Sequence, residues 1–288
     1  MSSQVGVVIA TRNRAAGLVT TLQKLRELPE QPAVVVVDNA STDDSALTAA
    51  GRFPDVKVLR LPANIGAAAR TVGVEALDTP YVAFCDDDSW WAPGSLEEAA
   101  RTFDAHPDLG LVAARVLVGE REEVDPTCLQ MANSPLGRAP ALPGPRILGF
   151  IACGAIVRRE AYLQAGGFHA HFGIGGEEDH LALNLAASGW ELVYVDHLTA
   201  YHHPSSIRDR EARTEIITRN SLWTTWLLRS PSVVAKSTLT ALATAAFNGR
   251  ARRGVVQAVR GLPWVFRERN ELPVDVESMA RRLSRSGG

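Results

Sequence analysis

Three runs of consecutive apolar residues, VGVVIA at 5–10, AVVVV at 33–37 and YVAFC at 81–85, constrain the fold of this chain most. A strand open on one face alternates apolar with polar side chains. One that is apolar throughout needs cover on both faces, the condition of a parallel sheet held between helical layers. Between these runs the apolar residues fall at helical spacing, with Leu18, Leu22 and Leu25 on one face of 14–28, shorter helices predicted at 45–53 and 66–77, and a further strand at 56–61. The alternation predicts an α/β fold with a Rossmann-like, mainly parallel twisted sheet flanked by helices. Such sheets bind ligands at the carboxyl ends of their strands. Polar residues gather there: Thr11, Arg12 and Asn13 after the first strand, Asp38 and Asn39 after the second, Asp86, Asp87 and Asp88 after the fourth.

Further along, the pattern predicts a helix at 92–105, a strand at 109–118, and an irregular, proline-rich and charged surface excursion or substrate loop at 120–145. A strand at 147–158, a short helix at 161–165, a helix at 180–187 closed by Gly189 and a strand at 192–195 follow. From Arg208 onward the chain reads as helical and rich in arginine, with Trp223, Trp226, Trp264 and Phe266 among the apolar positions. The expected organisation is a domain at 1–205, with a nucleotide-binding half at 1–118 and an acceptor half at 119–205, then a helical C-terminal extension at 206–288.

The charge balance asks for no nucleic-acid partner: 30 Lys and Arg against 32 Asp and Glu leave a net charge of -2, so an anionic ligand must be met locally. Cys85, Cys128 and Cys153 are widely spaced and include no CxxC pair, which argues against a disulfide framework and a thiolate zinc site alike. MSSQVGVVIATRNR has no charged stretch followed by a signal-length apolar run, and 5–10 is far too short to span a bilayer. The expected setting is the cytoplasm, with peripheral contact at the inner face of the plasma membrane left open.

In FCDDDSWW three carboxylates end a buried strand. Like charges so close raise one another's pKa and are costly unless a cation or hydrogen-bond donors face them. A divalent ion meets that need: oxygen ligands suit Mn2+ or Mg2+, and Mg2+ is commonly held by one or two carboxylates plus substrate phosphates. The plainer reading is a helix N-cap, because Ser89 and Pro93 follow.

Asp38 can accept the N–H of a pyrimidine base or can form an Asx turn ahead of Ser41, Thr42 and Asp43. Asn64-Ile65-Gly66, leading into a helix that carries Arg70, suits a diphosphate or is a plain capped helix. In GGEEDHLALNLAASGW three carboxylates open a helix, where they favour its dipole or supply a general base for an acceptor hydroxyl. YHH then places His202 and His203 after an apolar strand, where imidazole can add a metal ligand. Trp90, Trp91 and Trp190 could stack on sugar rings, but tryptophans of this kind more often belong to a core.

Taken in order, VVIATRNR, VVVVDNAST, NIGAAAR, FCDDDSWW, CGAIVRREAYLQAGGF, GGEEDHLALNLAASGW and YHH resemble the inverting glycosyltransferase family 2 of bacteria, with its GT-A fold, over residues 5–203. The resemblance implies that Thr11, Arg12 and Asp38 hold the nucleoside, Asp38 on a uracil or thymine ring, with Asn64, Gly66 and Arg70 near ribose and phosphate. It implies Asp86 on ribose or metal, Asp88 on the metal and Asp87 in support. Counting back from Gly189-Trp190 puts Glu178 at the base and His202 at the metal, whereas matching residue types selects Asp179 and His203. Helix and strand lengths fix geometry, so the count is preferred.

The implied reaction is transfer of a sugar from a UDP- or dTDP-sugar to a hydroxyl on a glycan, lipid-linked or small-molecule acceptor, with Mn2+ or Mg2+ on the diphosphate. A nucleotidyltransferase that makes nucleotide sugars competes with it, but would need a Gly-rich basic loop after the first strand. A non-catalytic sugar-nucleotide-binding protein is the other alternative. Arg250, Arg252, Arg253, Arg260, Arg267 and Arg269 suit an anionic membrane surface, a homodimer interface or a solvated helical cap.

Overall fold

The computed structural model describes residues 3–204 and 210–286; the domain boundary expected at 205–206 and the helical start at Arg208 lie outside the described residues. The apolar runs and helical stretches of the N-terminal part become β1 (Val5–Thr11), α1 (Ala15–Arg26), β2 (Val34–Asp38), α2 (Ser45–Arg52), β3 (Lys57–Arg60), a 3-10 turn at Gly66–Ala68 that runs into α3 (Ala69–Glu75), and β4 (Tyr81–Cys85). Strands β3, β2, β1 and β4 lie side by side and are parallel. Alternate residues of β1 feed two cores, Val7 and Ile9 packing with Leu18, Leu22 and Leu25 of α1, and Val8 packing with Val35, Val37 and Val74 on the opposite face. This two-sided burial is why these strands are apolar throughout.

The chain continues through β5 (Ser89–Trp91), α4 (Ser95–Ala105), β6 (Leu109–Val118), β7 (Glu123–Val124), α5 (Pro126–Ala132), β8 (Ala155–Arg158), α6 (Arg159–Gln164), α7 (Glu177–Ala187) and β9 (Glu191–His202). The sheet extends past β4 in the order β8, β6, β9, β5. β8 is antiparallel to both β4 and β6, β9 is parallel to β6 and β5 is antiparallel to β9, so the completed sheet is mixed.

Departures from the sequence reading have local causes. The irregular segment holds α5, which Asp125 opens by accepting the N–H of Thr127, with Pro126 in its first turn. The strand expected over 147–158 is confined to β8; a 3-10 turn at Ala152–Gly154 precedes it, and a Cβ on Gly154 would stand 2.4 Å from Cγ2 of Val116. β9 runs well past Val195, because its pairing with β6 jumps from Val195 to Thr199 and the exposed Asp196 and His197 in between hide the continuation.

Helices α8 (Arg210–Leu228), α9 (Pro231–Phe247), α10 (Gly249–Arg260), α11 (Leu262–Glu268) and α12 (Val274–Ser286) complete the chain. Trp223, Trp226, Trp264 and Val265 join Phe172, Leu181 and Leu185 in one apolar cluster, so these helices share a core with the sheet. Of the arginines noted above, Arg253 pairs with Glu215, Arg267 with Glu268, and Arg269 donates to the carbonyls of Trp226 and Arg229. Among the described residues no helix is long and apolar enough to cross a membrane.

Candidate active site

Parallel register sets three side chains in a row at the strand ends, Thr11 beside Asp38 and Asp38 beside Arg60. Asp38 is fully buried, and its Oδ1 accepts the N–H of Ser41 at 3.1 Å, so the Asx turn is present. Its Oδ2 has no hydrogen-bond partner and lies 3.4 Å from Nε of the largely exposed Arg60. A buried polar atom left unpaired costs roughly 1–3 kcal/mol, so this oxygen has accepting capacity that a ligand N–H would use. Next to it, Asn39 clamps the following loop, accepting from Ile65 N–H at 2.8 Å and donating to the Gly66 carbonyl at 3.0 Å. Asn64 accepts the N–H of Gly66 at 3.0 Å, and Arg12 is exposed on the loop after β1.

The acidic triplet forms the turn between β4 and β5. Asp86 donates its N–H to Ser89 Oγ at 2.7 Å, and Ser89 returns its N–H to the Asp86 carbonyl at 3.2 Å. No helix starts here: α4 begins at Ser95 with Gly94 at its N-cap, so the capping reading fails. The three carboxylates diverge. Asp86 Oδ1 receives Nη2 of Arg70 at 2.5 Å, Asp87 Oδ2 receives the Thr11 hydroxyl at 2.8 Å, and Asp88 Oδ1 lies 3.3 Å from Nε2 of His202.

Arg70 is buried and lies over the Phe168 ring. Burial alone would weaken its charge, but the carboxylates of Asp86, Glu177 and Glu178 outweigh that and hold its proton more firmly than usual. Asp87 is pushed up to about 6, first by burial, with the Thr11 hydroxyl opposing and the charges of Asp88 and Asp86 adding. Gly17 makes room for this turn, since a Cβ there would stand 2.8 Å from the Asp87 carbonyl oxygen.

Pairing of β5 with β9 sets Ser89 opposite His202. Successive strand residues point to opposite faces. His202 is accordingly buried against Asp88, while the His203 ring packs on Trp90 with centroids 4.8 Å apart. Donor atoms of Asp86, Cys153 and His202 lie within 4.8 Å of one another. Burial holds the Cys153 thiol well above its ordinary pKa, so it forms a neutral wall to this group. Carboxylates of Asp86 and Asp88 with the imidazole of His202 are a donor set that fits Mn2+ or Mg2+.

At the start of α7, Glu177 is buried and its carboxylate takes the N–H of Gly175. Glu178 is pushed up to about 8, first by burial and then by the charge of Glu177, with Arg70 opposing. Asp179 keeps contact with solvent while lining a cavity of about 530 Å³, and it is raised to about 6 by burial and by Glu177. The loop that presents these acids is held from two sides. Ala67 N–H donates to the Gly173 carbonyl at 2.9 Å, and a Cβ on Gly66, at φ +61, would stand 2.5 Å from Gly173 Cα. From α8, the fully buried Asn220 donates to the carbonyls of Phe172 at 2.8 Å and Gly175 at 2.7 Å, while Arg219 donates to Phe172 at 2.6 Å.

Arg60, Gly17, Arg219 and Asn220 were not singled out by sequence. Only Asn220 carried a signal, as a polar residue among Leu222, Trp223 and Trp226 on a helix. Trp91 is fully buried, with its N–H on the Phe84 carbonyl, and Trp190 donates to Gln164.

A mixed sheet flanked by helices, with polar loops after its parallel strands and an acidic turn beside a histidine, defines the class as GT-A. Solved structures agree: the mannosyltransferase PcManGT from Pyrobaculum calidifontis, in complex with GDP-Man and Mn2+, matches with a TM-score of 0.59 at 18% identity over 99% of this chain and 86% of that one. S. aureus TarS 1-349 in complex with UDP-GlcNAc matches at 0.60 and 15% identity, over 96% and 83%. The chain belongs to glycosyl transferase family 2, whose model matches residues 6–165.

Among named relatives, the pre-mycofactocin glycosyltransferase of Mycobacterium tuberculosis is 33% identical over 223 residues, 73% of this chain but 45% of that protein. This chain therefore spans less than half the length of that relative. The N-acetylglucosaminyl-diphospho-decaprenol L-rhamnosyltransferase of the same species is 26% identical over 250 residues, 75% of this chain and 81% of that one.

Proposed function

We propose that the chain transfers a sugar from a UDP- or dTDP-sugar to an acceptor hydroxyl, with inversion at the anomeric carbon. The observation that carries this reading is that Asp86 and Asp88 both come close to His202 at the turn between β4 and β5, with Asp88 Oδ1 3.3 Å from His202 Nε2 and a donor atom of Asp86 within 4.8 Å of one of His202. Asp38, through an Oδ2 that accepts no hydrogen bond within the chain, receives the base N–H, and Thr11 and Arg12 flank the nucleoside. Asp86, held by Arg70, is shared between ribose and metal, and Asp87, held by Thr11, supports the turn. Asp88, Asp86 and His202 would hold Mn2+ or Mg2+, which when bound would neutralise charge on the leaving diphosphate.

Glu178 takes the proton of the acceptor hydroxyl, and Asp179 is the second carboxylate within reach of that role. The oxygen so freed bonds to the anomeric carbon as the bond to the nucleotide diphosphate breaks, and the electron pair leaves with the diphosphate. A base whose pKa lies near the working pH is the most efficient, and the raised pKa of Glu178 serves that end. Calorimetric titration of UDP, dTDP, GDP and their sugars with and without Mn2+ tests the donor. Mn2+-dependent binding of UDP or dTDP is expected, and preference for GDP or indifference to metal overturns the donor assignment.

A further inference from the structure

The cavity lined by Asp179 adjoins a second, of about 650 Å³, lined by α8, α9, α10 and α12; both are walled in part by Ser221, Arg229, Val233, Ser237 and Ser284. Each volume lies in the range of small-molecule sites. Asn220 docks on the Gly175 carbonyl, two residues before Glu177, so the Ser221 end of α8 is the end near the acids of α7. Ser221, Thr225 and Arg229 follow at i, i+4 and i+8 on one face. At 1.5 Å per residue, Arg229 stands about 12 Å further along the helix.

Around Asp179 the polar wall comes from Thr127, Gln130, Ser134, Thr224 and Thr225, with Arg229 as its one cation among the described residues. The second cavity is lined by Arg229, Lys236, Arg281 and Arg285, and by no acidic residue among the described residues. Glu277 stands behind this wall and receives Nε of Arg229 at 2.7 Å and of Arg281 at 2.8 Å, one carboxylate against four cations. Two wall groups, one on α8 and one just past its end, keep buried polar atoms without a hydrogen-bond partner, the Thr224 hydroxyl and Nη2 of Arg229. Folded proteins rarely leave such groups unsatisfied.

We infer that these cavities form the acceptor site and that the acceptor carries a phosphate or diphosphate. The hydroxyl lies at the Asp179 end, and the phosphoryl oxygens lie among Arg229, Lys236, Arg281 and Arg285, since guanidinium and ammonium groups are the side chains that best recognise phosphate. The assignment of the hydroxyl rests on the transferase reading; phosphate binding at the basic end does not.

Inorganic pyrophosphate is the probe, titrated by calorimetry into the full chain in EDTA and in an Asp88→Ala background, which removes metal-assisted binding at the acidic turn. K236A/R285A, at two exposed positions, should weaken binding at least tenfold with the melting temperature unchanged, and K236R/R285K should stay within threefold. Equal affinity in K236A/R285A, or no binding to the Asp88→Ala chain, overturns the proposal. Vesicles separate the sources of the phosphate. Binding to phosphatidylglycerol but not phosphatidylcholine vesicles that pyrophosphate displaces supports a lipid-borne group, and pyrophosphate binding without vesicle binding supports a soluble one. Vesicle binding that K236A/R285A abolishes but pyrophosphate does not displace makes this end a membrane contact and overturns the acceptor subsite. Absence of Mn2+-dependent UDP binding to the unaltered chain would sink the donor reading alone and leave the pyrophosphate result standing.

Discussion

The edge assigned to the donor and the groove assigned to the acceptor are built by different means. At the donor edge, neighbours in space are neighbours in a register: Thr11, Asp38 and Arg60 end adjacent parallel strands, and His202 reaches Asp88 because β5 pairs with β9. Around Asp179 the wall is gathered from α5, the loop at 147–150, α7, α8, α9 and α12, segments far apart in the chain. A register tolerates little change, because shifting a strand by one residue turns every side chain to the other face. A wall of helix faces can exchange residues one at a time. The first arrangement suits a component common to many reactions and the second suits one that varies.

This contrast can be broken most directly at the acidic turn. Asp88→Ala should abolish metal-dependent transfer while the chain still melts cooperatively; full activity in Mn2+ would end the metal assignment at this turn. The two carboxylates at the boundary between the regions come next. Glu178→Gln should lower turnover by roughly 10²–10⁴-fold and Asp179→Asn by less than about tenfold, with UDP affinity kept in both. The pH profile checks the same choice. A base must be ionised, so the rate should climb through about 8 if Glu178 serves and level off above about 6 if Asp179 serves. The reverse pattern exchanges their roles.

Support from α8 sharpens the comparison further. Asn220→Ala removes two hydrogen bonds to the loop before α7 and should cost about 1–3 kcal/mol of unfolding free energy. It should also lower turnover more than it changes UDP affinity. A loss confined to UDP binding would mean that α8 serves the donor edge instead.

The smallest effect is expected at Asp87. Its pKa is raised from 3.8 to about 6, so the folded chain takes up a proton there more readily than the unfolded one. That acid therefore destabilises the fold above about pH 6, and the penalty fades as pH falls toward 4. Asp87→Asn should raise stability at pH 7.5 by on the order of 1 kcal/mol, with no gain near pH 4. Urea unfolding at the two pH values measures it, and equal shifts at both would assign the effect to packing.

Much of the parallel edge was legible because its signal is local. An apolar run followed by a polar cluster fixes both a buried strand and its ligand-facing end, and the three parallel ladders of β1 to β4 follow from such runs. The mixed half was harder to read. β5 is three residues long, β9 is interrupted by the exposed Asp196 and His197, and α5 opens on an Asp-Pro-Thr signal inside a stretch that otherwise lacks periodicity.

What the sequence determined by itself is the burial of strands on two faces and the placing of Asp38 and Asp86 to Asp88 at their ends, because period and position are properties of a short stretch of chain. Only the tertiary structure decided which carboxylate meets which partner: Asp86 with Arg70, Asp87 with Thr11, Asp88 with His202. It also decided that Asn220, 45 residues after Gly175, holds the loop that presents Glu178 and Asp179. Such pairings depend on how β9 and α8 come back onto the sheet edge, and hydrogen bonds between groups so distant in sequence leave no trace in local pattern.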